Sequence, residues 1–178
     1  SSDVCSSDLI SEAIKYNNIS IVAKRVKRSE GKFFQLLYQL HKIITFIFTG
    51  QIINFGNYCC LAKKDAEKIC SKASLWSSFS GTVKKNITTL KEVNSIRGLR
   101  YFGPSQMSIF KLIIHSFSII AVFKYIVLFR SILFFSILYM FEKYLGNLTY
   151  IFQLLLIFFN FSIFIVSARE NKEELIKS

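Results

Sequence analysis

Leu148 to Ala168, LTYIFQLLLIFFNFSIFIVSA, runs 21 residues without an Asp, Glu, Lys or Arg. A helix rising about 1.5 Å per residue would make this segment roughly 31 Å long, which matches the hydrocarbon core of a bilayer. A helix also satisfies its own backbone groups, as any chain crossing lipid must. The segment therefore predicts a spanning helix. Just before it, Tyr125 to Phe141 (YIVLFRSILFFSILYMF) reads as a second, 17-residue span that carries Arg130, whose guanidinium is expected to snorkel toward one interface. EKYLGN joins the two. The pattern predicts a helical hairpin over 125–168, with 169–178 returning to the side from which the chain entered.

Charge sets the expected orientation. Residues 1–106 hold 16 Lys plus Arg against 7 Asp plus Glu, a net of +9, and residues 107–178 hold 7 against 4, a net of +3. Short cationic flanks stay on the cytoplasmic side, so the basic front part and both termini are expected there. Between front part and hairpin, Ser108, Lys111, His115 and Ser118 recur at steps of three and four among Met, Ile, Phe and Leu. This pattern predicts an interfacial amphipathic helix over 107–124.

Cys5, Cys59, Cys60 and Cys70 lack CxxC spacing and have no histidine at ligand distance in the sequence, so they read as free thiols. The chain contains no glycine-rich phosphate loop, nucleophile elbow or HExxH. Its basic residues do not interleave with aromatics as a nucleic-acid platform would, and no helix-turn-helix is visible. The opening SSDVCSSDL repeats Ser-Ser-Asp and differs in composition from the Ile-, Phe-, Lys- and Asn-rich remainder. Residues 1–9 resemble a translated sequencing adaptor, with native sequence expected from Ile10.

From Ile10 the pattern reads as the second half of an α/β domain over 10–106. ISEAIKYN ends a helix, and ISIVAKR forms a short buried strand whose carboxyl end delivers KRVKRSEGK. Ligands of open α/β sheets gather at such ends. Phe33, Phe34, Leu36, Leu37, Leu40, Ile43, Ile44 and Ile47 predict a long helix ended by Gly50. GNYCCLAKKDAEKI reads as strand then helix, GTVKKNITTL as a short helix whose Lys84 and Lys85 form a solvated face, and KEVNSIRG as the last strand.

The succession AKRVKRSEGKFF, INFGNYCCLAKKDAEKI, LWSSFSG, RGLRYFGPSQMSIFKLIIHSFS and a terminal hairpin resembles the C-terminal part of family 2 glycosyltransferases. It is most similar to the membrane-anchored enzymes that charge a polyprenyl phosphate with a sugar, among them dolichyl-phosphate mannose synthase and bacterial undecaprenyl-phosphate glucosyltransferases. The resemblance covers Ile10 to Ala168. It implies a GT-A (Rossmann-like) fold whose nucleotide-sugar half, with a DxD-type motif for Mg2+ or Mn2+, would precede Ile10, so that the chain by itself would be inactive and hold no metal ligand.

On the acceptor side the resemblance implies substrate-binding roles for Arg25 and Arg28, and for Arg100 and Ser105 in an R-x-x-G-x-S-K pattern in which Gln106 replaces the usual Lys. Asn57 stands where the family carries an acid, which leaves the catalytic base unknown. The implied partners are membrane lipid, a polyprenyl phosphate acceptor and a nucleotide-sugar donor, and the implied location is the bacterial inner membrane. Nucleic acid is not expected, and homo-oligomerisation through the hairpin is compatible with the pattern.

Independently of the family, Arg97 and Arg100 occupy a Gly- and Pro-containing segment at the junction with the apolar tail. There guanidinium groups can hold a lipid phosphate by paired hydrogen bonds. A different class also fits the composition: a small non-enzymatic membrane protein whose basic cytoplasmic part binds anionic lipid or an acidic partner.

Overall fold

A computed structural model of the chain describes residues 6–16, 18–27, 32–96 and 108–170. The architecture is mixed α/β, mostly helical, with one small sheet. Helix α1 (Ser6–Lys15) leads into strand β1 (Ser20–Lys27), helix α2 (Lys32–Thr49) and strand β2 (Phe55–Cys60). Helix α3 (Lys63–Cys70), a 3-10 turn (Ala73–Trp76), helix α4 (Phe79–Asn86) and strand β3 (Leu90–Ile96) follow. Four helices end the described chain: α5 (Ile109–Ala121), α6 (Lys124–Met140), the single turn α7 (Glu142–Leu145) and α8 (Asn147–Ser167).

The strand order is β2-β1-β3, with β1 antiparallel to β2 and parallel to β3. β1 is central, so it is the strand whose side chains Ile21, Val22 and Ala23 are buried. Ser20 at its start is also fully buried. Its hydroxyl donates to Asp65 Oδ2 at 2.6 Å and accepts from the Ala62 amide at 3.0 Å, which pins the first turn of α3 to the sheet. We expect Ser20→Ala to cost about 1–3 kcal/mol, because it strands a carboxylate and an amide together; chemical denaturation reads this, and an unchanged midpoint would dismiss the link.

The segments read as an interfacial helix and a first span are both helical, as α5 and α6, and the two helices meet at 93°. The main core lies where this bend presses on the sheet layer. Ile119 to Phe123 and Val127 pack there with Val22, Phe55, Val83, Ile87, Ile163 and Val166. Gly81 allows the approach of α4, since a Cβ there would stand 3.0 Å from Val122 Cγ2 and 3.3 Å from the Ile119 carbonyl oxygen. A bend without proline leaves helix carbonyls without amide partners. At this one Lys85 Nζ donates to the Val122 carbonyl at 2.6 Å.

Lys85 is exposed, as a solvated face expects, but its ammonium is committed to the Val122 carbonyl, and partial burial lowers its pKa, opposed by Glu170 and reinforced by Lys124 and Lys72. The polar stripe of α5 also changes. Lys111 and His115 are exposed and Ser108 caps the helix, but Ser118 is buried and its hydroxyl returns to the Ile114 carbonyl at 2.8 Å. Packing against α4 and the sheet overrides the stripe at the C-terminal end of α5.

α8 is the one helix among the described residues that is long and apolar enough to cross a membrane by itself. α6 has 17 residues and meets that test only when joined to α5 across the bend. α6 and α8 lie antiparallel, with Lys124 near Ser167 and Glu170 at one end and Tyr150 donating to Glu142 at the other. Gly146, at φ +53, makes the turn between them, a left-handed conformation suited to glycine.

Arg130 is engaged by the protein. Its Nη1 donates to the carbonyl oxygens of Phe46 at 3.3 Å and Ile47 at 2.7 Å, at the C-terminal end of α2. The sequence alone predicts snorkelling; the partner found is the negative end of a helix, which favours a cation. Gly50, at φ +72, ends α2 there, and its amide also bonds the Phe46 carbonyl at 2.7 Å.

Candidate lipid-phosphate site

The same succession occurs twice: a strand, a basic segment, then an apolar helix. In the sequence Arg28 lies between β1 and α2, and Arg97 and Arg100 lie between β3 and α5. The parallel register pairs Arg25 with Ser95 and Lys27 with Ile96. Adjacent strands run about 4.8 Å apart, so β1 and β3 end side by side, and the next residue of each in sequence is an arginine, Arg28 and Arg97. Arg28, Arg97, Arg100, Ser105 and Gln106 lie outside the described residues, and only the backbone of Arg25 is described.

Asn57 is exposed on β2. The register of β1 and β2 runs from Val22↔Cys59 to Lys24↔Phe55, so the three residues Gly56 to Tyr58 face the single residue Ala23. Asn57 sits at the centre of this bulge, two residues before Arg25 along the facing strand. Bulges re-aim side chains and recur beside functional sites. An amide there can donate a hydrogen bond but cannot serve as a base near neutral pH.

Beyond the basic segments, α2 and α5 enclose a groove of about 150 Å³. Leu37, Leu40, His41 and Ile44 line it from α2, and Ile109, Leu112, Ile113, Ser116, Phe117 and Ile120 from α5. Ser116 spends its hydroxyl on the Leu112 carbonyl at 2.9 Å, which leaves the wall apolar. The ring of Phe159 on α8 lies 4.6 Å from that of Phe48 and 5.8 Å from that of Phe117, bridging the C-terminal end of α2 and the second half of α5. A larger cleft of about 470 Å³ beside α6 and α8 is lined only by Phe, Leu and Ile side chains and has no group suited to a phosphate.

α2 was expected to be a helix of the α/β domain, and its apolar stripe is wider than packing on that domain uses. Ile44 and Phe48 turn inward to the core, whereas Phe33, Leu36, Leu40, Ile43 and Ile47 stay between 42% and 66% exposed. The stripe covers about half the helix circumference, against roughly 100° for a helix with a single buried face. That width leaves much of the apolar face of α2 uncovered by the rest of the described chain.

Among the described residues no group of three His, Cys, Asp or Glu side chains could hold a metal ion. Several of their carboxylates are engaged elsewhere: Glu12 with Lys91, Asp65 with Ser20, Glu92 with Lys24, and Glu170 with Lys124 and Ser77. Cys59, Cys60 and Cys70 are free thiols, and burial, with Cys60 beside it, raises the pKa of Cys59.

The chain matches no family model, no curated protein and no solved structure.

Proposed function

We propose that this chain is the acceptor-binding, membrane-anchored part of a glycosyltransferase that moves a sugar from a nucleotide donor to a polyprenyl phosphate. The observation that carries the proposal is the parallel pairing of Lys27 with Ile96. It ends β1 and β3 side by side, and in the sequence each strand is followed by an arginine-bearing segment and then by a helix that forms one wall of the same apolar groove. A ligand with an anionic head and an isoprenoid tail fits both features; a soluble phosphate has no use for the groove and a neutral lipid none for the arginines.

In the transfer, a phosphate oxygen of the acceptor attacks the anomeric carbon as the bond to the nucleoside diphosphate breaks, and the configuration inverts. The nucleophile is already anionic, so orientation by the arginines does the work a base would do for an alcohol. An Asn at position 57 is compatible with this chemistry. The resemblance assigns the donor and its metal to a region before Ile10, and no step here is routed through them.

The test is thermal stabilisation of the full chain in mixed micelles by undecaprenyl phosphate, compared with undecaprenol and a short alkyl phosphate. At a hundredfold excess over Kd a ligand stabilises by about 2.7 kcal/mol, and for 178 residues each kcal/mol moves Tm by roughly 2–4 °C. The expected order is the polyprenyl phosphate first and the two partial ligands far behind. Equal shifts for the phosphate and the alcohol would remove the arginines from the site and favour a non-enzymatic lipid-binding protein.

A further inference from the structure

We propose that the corner where the sheet layer meets the start of α6 and the end of α8 seats the phosphate of an anionic glycerophospholipid, held by Lys72 and Lys85 and framed by Trp76 and Tyr125. The inference rests on α8 spanning a bilayer, and it concerns the lipid around the anchor, not the acceptor.

The height of the corner comes from one hydrogen bond. Ser77 Oγ donates to Glu170 Oε1 at 3.2 Å, tying the 3-10 turn to the residue three beyond the end of α8. Trp76, next to Ser77, is 52% exposed, and Tyr125, second residue of α6, is 71% exposed. Both rings therefore stand level with the end of the uncharged run, where amphipathic aromatics prefer to lie in a membrane.

The charge does not cancel at this level. Lys124 Nζ sits 2.8 Å from Glu170 Oε2, and their side chains are only 20% and 14% exposed, so this pair neutralises itself. Thr82 Oγ1 donates to Ser74 Oγ at 3.0 Å, which holds the turn that follows Lys72 against the helix that carries Lys85. Among the described residues Glu170 is the one acid that acts on Lys85, against Lys124 and Lys72, so two lysines are left in excess there. Lys85 uses one of its three donors on the Val122 carbonyl, and the side chain of Lys72 is exposed. An anion brought between them relieves the mutual repulsion and meets donors on one side and aromatic edges on the other. A bilayer phosphate is presented at that height; a diffusing one is not.

The chain's only Trp is Trp76, which makes the test direct. The full chain is reconstituted into vesicles, flotation is checked, and Trp76 fluorescence is titrated with brominated phosphatidylglycerol against brominated phosphatidylcholine. Preferential quenching by the anionic lipid is expected, by roughly fivefold in relative association constant. Lys72→Gln should bring that ratio close to one, while Lys63→Gln, at the opposite end of α3 with a side chain 91% exposed, should leave it unchanged. Failure to float with vesicles of either composition would overturn the membrane reading and the proposal with it. Flotation with equal quenching by the two lipids would overturn the proposal alone, as would loss of the preference to inorganic phosphate but not to chloride of equal ionic strength.

Discussion

Replacing Arg28 and Arg97 together by Ala is expected to weaken binding of undecaprenyl phosphate by about a hundredfold or more, while binding of undecaprenol stays the same. Each lost hydrogen bond to a charged group is worth about 1.5–3 kcal/mol, and about 1.4 kcal/mol is a factor of ten. The two positions directly follow the paired residues Lys27 and Ile96, so a single phosphate can call on both. Each single substitution should therefore cost less than half of the double, because the remaining arginine still anchors the headgroup. Binding in micelles by ligand-induced shift in Tm measures all four proteins. If phosphate and alcohol lose affinity equally, the substitutions have disturbed the groove rather than the headgroup contact, and the assignment of the two arginines fails.

Arg130→Leu is expected to lower Tm by about 3–12 °C, since a charged hydrogen bond worth about 1.5–3 kcal/mol is lost and each kcal/mol moves a chain of this size by roughly 2–4 °C. The sign is the useful part. Leucine in place of arginine within an apolar helix favours membrane insertion by a few kcal/mol on insertion scales. A snorkelling arginine would therefore be improved by the change. Here the guanidinium instead holds the Phe46 and Ile47 carbonyls at the end of α2, and Leu leaves the Ile47 carbonyl without that donor. Arg130→Lys keeps the charge and should recover part of the loss. Because α2 is one wall of the groove, the Leu variant should also bind polyprenyl phosphate less tightly although Arg130 does not line it. A Leu variant as stable as the parent would show that α2 is held by its apolar contacts alone.

Much of the chain was legible because its local patterns are strong. The uncharged run of 148–168 became α8, with its start at Asn147 and its end at Ser167. ISIVAKR became β1, GNYCC most of β2 and KEVNSI most of β3, and Gly50 ended α2 at a positive φ that glycine tolerates best. GTVKKNITTL was only partly helical: α4 starts earlier, at Phe79, and stops at Asn86, after which the chain extends into β3.

The proposed site was less legible. Arg28, Arg97 and Arg100 attract notice in the sequence as basic residues before apolar segments, yet 68 positions separate the first two. Nothing local says that their strands are neighbours and parallel. The contacts of Lys85 and Arg130 were not legible for the same reason: each is engaged by a backbone carbonyl from a distant part of the chain, Val122 for one and Phe46 and Ile47 for the other.

The sequence by itself determined which segments are helix, strand or candidate span, because side-chain periodicity and the cost of leaving backbone groups in lipid act over a few residues at a time. Only the tertiary structure decided how those segments meet. From Ile109 to Met140 no proline or glycine marks a break, yet α5 and α6 turn through 93°. The turn stands because Gly81 lets α4 press against Ile119 and Val122, and because Lys85 supplies the hydrogen bond that the broken helix no longer makes for the Val122 carbonyl.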